Sequence, residues 1–72
     1  MDNVKLKVLA IVEESMLALA TGVLKEEDRW KEYNALYELK EALLQIEDYE
    51  ILIKFRDLEV KYDVTILAHE NI

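Results

Sequence analysis

Apolar residues recur at helical spacing over the first third of the chain. Val8, Val12, Met16, Leu19 and Val23 form an i, i+4, i+8, i+11, i+15 stripe. Leu6, Leu9, Ile11 and Leu17 broaden that stripe beyond one face, so the helix is expected to be covered on more than one side. Asp2 or Asn3 suits the N-cap, and Gly22 stands where a helix end favours a left-handed residue. The pattern predicts a helix over residues 3–21. A short strand at VKLKV, where Val4, Leu6 and Val8 alternate with lysines, is the rival reading.

Residues 25–46 read as a second helix, rich in Glu, Lys, Leu and Ala. Glu26, Glu27 and Asp28 occupy its first turn, where the helix dipole favours acids. Leu36, Leu39, Leu43 and Ile46 run at 3-4-3 spacing, the seam of a helix that packs on another helix. Trp30, Tyr33, Tyr37 and Leu44 lie well around the helix from that seam and make a second apolar edge that needs its own cover.

Residues 49–67 carry two patterns at once. As a helix, Ile51, Phe55, Leu58, Tyr62 and Ile66 align at 4-3-4-4, but apolar residues remain on two opposed sides. As strands, Leu58, Val60, Tyr62, Val64 and Ile66 alternate with Glu59, Lys61, Asp63 and Thr65, and Tyr49, Ile51, Ile53 and Phe55 alternate likewise. A hairpin turning at Arg56-Asp57 pairs Phe55 with Leu58, Ile53 with Val60 and Ile51 with Tyr62 on one face. Its turn lacks Gly and Asn, and it sets Glu50 opposite Asp63. The alternation and the β-branched content favour strands. The expected fold is therefore α+β, two antiparallel helices followed by a β-hairpin, with an all-α three-helix bundle as the alternative. No repeat, linker or second domain is visible, so residues 1–72 read as a single small domain.

Composition sharpens this picture. A chain of 72 residues buries only about 60% of its unfolded surface, yet 53% of its residues are hydrophobic. Some apolar surface is left to be shared, which points to a homo-oligomer or a protein partner. The formal charge is −7. Phosphate backbones repel such a chain, so direct nucleic-acid binding is not expected, whereas a basic protein surface, or mimicry of a nucleic acid, fits. There is no Cys or Pro and one Gly, which excludes a disulfide framework, a thiolate zinc site and a Gly-rich phosphate loop. Lys5 and Lys7 precede an apolar run, but Glu13 and Glu14 interrupt it, and the longest uncharged run, Ser15 to Leu24, is ten residues. A membrane span needs about 20. A cytoplasmic protein is the expectation.

No residues carry a recognisable catalytic constellation. His69 is the only His, and metal or acid–base sites draw on several converging groups. The acids come in runs, Glu13-Glu14, Glu26-Glu27-Asp28 and Glu47-Asp48, whose neighbours point about 100° apart on a helix. They read as solvated surface or as an acidic docking surface formed by Glu26, Glu27, Asp28, Glu47 and Asp48. Ser15 lacks the flanking glycines of a nucleophile elbow. Trp30, Tyr33 and Tyr37, with Leu44, are the candidate interaction residues, because Trp and Tyr join apolar area to a polar tip. The expected function is a non-enzymatic regulator or inhibitor that occupies a partner's surface, without cofactor, metal or membrane. The alternative is an oligomeric nucleotide-binding protein that stacks its ligand on the aromatic edge, helped by Arg29, Lys31 and Lys40.

Overall fold

The computed structural model describes residues 2–67. It contains three helices, α1 (Asn3–Thr21), α2 (Glu26–Gln45) and α3 (Tyr49–Tyr62), and each packs against the other two. Residues 49–62 are therefore helix, and the expected β-hairpin does not form; the chain is a three-helix bundle.

Local chemistry explains why α3 prevails over the hairpin. Asp48 caps it, its Oδ1 accepting from the Ile51 amide at 3.3 Å. The helical register then places Ile51, Phe55, Leu58 and Tyr62 on one inward face, which buries Ile51 and Phe55. A helix satisfies its interior amides and carbonyls without a partner, whereas an isolated two-stranded hairpin is marginal in water. At the far end Asp63 takes φ 53°, and the amides of Asp63 and Val64 donate to the carbonyls of Val60 and Glu59, closing a Schellman motif. Past that turn the chain runs without regular structure from Val64 to Leu67, here called the strap, and drops Ile66 into the core.

Both ends of α1 and the C-terminal end of α2 are fixed in the same manner, whereas Lys25, at the start of α2, makes no side-chain cap. Asp2 caps α1, accepting from the Lys5 amide at 2.8 Å. Gly22, at φ 70°, ends it. Val23, the last residue of the α1 stripe, lies beyond this stop and is 75% exposed. The α1 terminus gains a further partner from α2, since Arg29 Nη1 donates to the Leu19 carbonyl at 3.0 Å. Helix α2 closes on a second Schellman motif, with Glu47 at φ 56° and the Glu47 and Asp48 amides donating to Leu44 and Leu43. Asp48 thus ends one helix and starts the next.

Val12, Met16 and Leu19 of α1, Leu36 and Leu43 of α2, Ile51 and Phe55 of α3, and Ile66 of the strap form the core. Only one face of α1 enters it: Val4, Leu6, Ile11 and Leu17 are exposed, contrary to the cover on several sides that the sequence implied. In the α2 seam Leu36 and Leu43 are buried, Leu39 is half-buried, and Ile46, at the turn, is 70% exposed.

Candidate interaction surface

The strap is what covers the aromatic edge of α2. The Tyr33 hydroxyl accepts from the Leu67 amide at 3.0 Å, and both Tyr33 and Tyr37 are half-buried. Burial of its ring, and then the neighbouring Glu41 carboxylate, push the Tyr37 hydroxyl pKa up. Trp30, one turn before Tyr33, lies outside this cover and is 65% exposed. Leu44 is half-buried at the other end of the edge, in the wall of a groove described below.

An ion pair fastens the strap. Lys40 Nζ lies 2.9 Å from Glu59 Oε1 and donates to the Ile66 carbonyl at 2.9 Å, while Glu59 Oε2 accepts from the Ile66 amide at 3.2 Å. Both polar groups of the Ile66 peptide backbone are thereby satisfied by one Lys–Glu pair. The two side chains retain only 14% and 11% of their exposure. Lys40 Nζ also sits 5.6 Å from the centroid of the Phe55 ring, within cation–π range. The basic residues expected beside the aromatic edge are thus divided: Lys40 holds the strap, Arg29 caps α1, and Lys31 is exposed.

A second polar cluster ties α1 to α3. Glu13 Oε2 accepts from the Tyr62 hydroxyl at 2.8 Å and from Lys61 Nζ at 3.0 Å. These bonds, the Tyr62 one foremost, hold the Glu13 carboxyl below its ordinary pKa, and Glu13 in turn raises that of Lys61. In a hairpin Lys54, Arg56 and Lys61 would share an outer face with Glu59 and Asp63. In the helix Lys61 belongs to Glu13 and Glu59 to Lys40, while Lys54 and Arg56 stay exposed.

The acidic candidates also separate. Glu26, Glu27 and Asp28 are exposed in the first turn of α2. Glu47 is exposed in the turn before α3, but the adjacent Asp48 is committed to its cap and to Lys5, 3.5 Å away. Among the described residues no group of three acids or other metal-ligating side chains assembles. His69 lies outside the described residues. No helix among them is long and apolar enough to cross a membrane.

The residues that sequence reasoning did not single out are those on the back of α3. At 100° per residue, Tyr49, Ile53 and Val60 fall within about 40° of each other and about 170° from the buried face. They are 61%, 62% and 75% exposed. Beside them, between α3, the end of α2 and the strap, runs an open groove of about 640 Å³ with walls that include Leu44, Leu52, Ile53, Val60 and Leu67. The signal was present in the sequence as the second apolar side that the helical reading of residues 49–67 left over. The Lys40–Glu59 pair, 19 residues apart, carried no sequence signal. No family model, curated protein or solved structure matches the chain.

Proposed function

We propose that this chain is a protein-interaction module, a regulator or inhibitor that acts by occupying the surface of a protein partner. One observation carries the reading. The bundle is already closed over a core containing Phe55, Met16, Val12 and Ile66, and yet Tyr49, Ile53, Val60 and Leu67 remain together on one side at 61–75% exposure. Apolar side chains scattered singly over a surface need no explanation; a contiguous set beside a groove marks an interaction site. The net charge of −7 favours a partner with a basic surface, by steering the encounter and by rejecting acidic competitors. Exposed Trp30 extends the available apolar area on α2.

Quantitative capture from native extract tests this reading, with wild type compared against Ile53→Gln/Val60→Gln and Trp30→Ala. The expected result is one protein retained in stoichiometric amount by the wild type and lost from a folded surface variant. Equal recovery of the same proteins by wild type, by every variant and by an unrelated acidic bundle would overturn it.

A further inference from the structure

We infer that the outer face of α1 is a self-association surface, on which a second copy of this chain seats its own α1 antiparallel about a two-fold axis between Ala10 and Ile11. This goes beyond the interaction reading above, which places the partner against α3. The core takes Val12, Met16 and Leu19 from one face of α1. About 150–170° around from them stand Lys7 and Glu14, both exposed. Leu6 and Leu17 flank that line on one side, and Val4 and Ile11 on the other, at 45–70% exposure. The helix is thus apolar along both borders of a face that its own bundle leaves uncovered.

Charge selects the occupant. The only charged residues within α1 are Lys5, Lys7, Glu13 and Glu14. Lys5 turns to Asp48 and Glu50, at 3.5 and 3.9 Å, and Glu13 is bound to Tyr62 and Lys61. Lys7 and Glu14 are left on the outer line, too far apart for the i, i+4 contact that pairs charges along one helix. They lie equally far from the midpoint between Ala10 and Ile11, on opposite sides of it. An antiparallel copy turned about that midpoint therefore sets Lys7 against Glu14 of the second copy, and Glu14 against its Lys7. The same operation brings Leu6 to Leu17 of the mate, Val4 to Ala18, and Ile11 to Ile11, so apolar groups meet apolar groups. A parallel copy would set Lys7 on Lys7 and Glu14 on Glu14, which like-charge repulsion rejects. A foreign helix bordered by one sign of charge satisfies only one of the two. The pairing leaves Tyr49, Ile53 and Val60 of α3 outside the contact, so the assembled pair presents that stripe twice.

The test is sedimentation equilibrium of the full chain, with native mass spectrometry to identify mixed species. Wild type should be a dimer at micromolar concentration. Lys7→Glu and Glu14→Lys each confront two like-charge pairs per dimer, and each should weaken association about tenfold or more. Lys7→Glu/Glu14→Lys restores both pairs with their signs exchanged, and should return to within about threefold of wild type. Equimolar Lys7→Glu and Glu14→Lys chains should prefer each other to themselves. Ile11→Asp, on the axis, should weaken the dimer about tenfold or more, whereas Ile53→Gln/Val60→Gln should leave it unchanged. All these positions are exposed, and circular dichroism verifies that each variant is folded. A wild type still monomeric at about 1 mM overturns the inference. A double exchange as weak as either single one also overturns it. So does a mixture of wild type and Lys7→Glu that pairs more tightly than either alone, the mark of a parallel arrangement. A dimer that Ile53→Gln/Val60→Gln dissolves and Ile11→Asp spares places the contact on α3 and overturns it as well.

Discussion

Replacing Glu59 with Ala should loosen the strap and cost the whole bundle a substantial fraction of its stability. The change removes the partner of Lys40 Nζ and the acceptor of the Ile66 amide in a single step. Breaking a fully buried ion pair by deleting one member costs about 3–5 kcal/mol. Here Lys40 and Glu59 keep 14% and 11% exposure, and Lys40 retains the Ile66 carbonyl and the Phe55 ring, so the loss is set at about 2–3 kcal/mol. A domain of this length has roughly 4–11 kcal/mol in total. Lys40→Met should cost about 2 kcal/mol, because it strands the carboxylate but leaves it the Ile66 amide. The double variant Lys40→Met/Glu59→Leu removes both charges, and should be less damaging than the two single losses added together, with a coupling of at least about 1 kcal/mol. It should not return to wild type, since both backbone groups of Ile66 then lack their partners. Urea denaturation supplies the cycle, and hydrogen exchange at the Ile66 amide reports on the strap itself. A Glu59→Ala chain that loses under about 0.5 kcal/mol and keeps the Ile66 amide protected would refute the reasoning.

Three further outcomes follow from positions described above. Phe55→Ala, at a fully buried ring, should cost about 3–5 kcal/mol in denaturation, whereas Trp30→Ala, at a ring 65% exposed, should cost under about 1 kcal/mol of folding stability. Glu47→Gly should raise the denaturation midpoint by the equivalent of about 1 kcal/mol, because it removes the Cβ that is strained at φ 56°; Gly22→Ala should lower it by about 1 kcal/mol at φ 70°, although an added Cβ there would touch nothing. Glu13 has a depressed pKa in the folded chain, so its contribution is complete above the unfolded carboxylate value and disappears as pH falls through the folded one. The difference in urea midpoint between wild type and Glu13→Gln should accordingly shrink on acidification, and should shrink again as pH rises through the raised pKa of Lys61.

The two long helices were legible because their signals are local. Asp2, Gly22 and the acidic first turn of α2 act within a few residues of where they stand, and Leu36 and Leu43 were identified by spacing alone. Residues 49–67 were misread because alternation and helical spacing coexist there. Leu58, Val60 and Tyr62 satisfy a period of two, but Val60 is 75% exposed while Phe55 is fully buried, so the period that matters to the core is the helical one. What decided it was an Asp48 cap and two left-handed non-glycine residues, Glu47 and Asp63, whose composition gives no hint of a helix end. The aromatic edge was identified as needing a cover, but the cover itself was not foreseen: Ile66 enters the core from an irregular segment, guided by Lys40, 26 residues earlier. Such a pairing of a side chain with a distant backbone leaves no mark in any window of sequence. The outer stripe of α3 was visible as surplus, and only the helix shows that the surplus gathers on one side.

The most extensive helix contact joins α1 to α3, and this bears on how the chain is made. A ribosome delivers α1 first, with Val12 and Met16 unable to meet Phe55 until some forty residues later. Meanwhile α2 offers only part of the cover, and the strap, which brings Ile66 into the core that holds Leu36 and Phe55, emerges only after α3. An N-terminal fragment ending before Tyr49 should consequently remain molten and sticky, and synthesis slowed between α2 and α3 would lengthen the interval in which the nascent chain needs a chaperone.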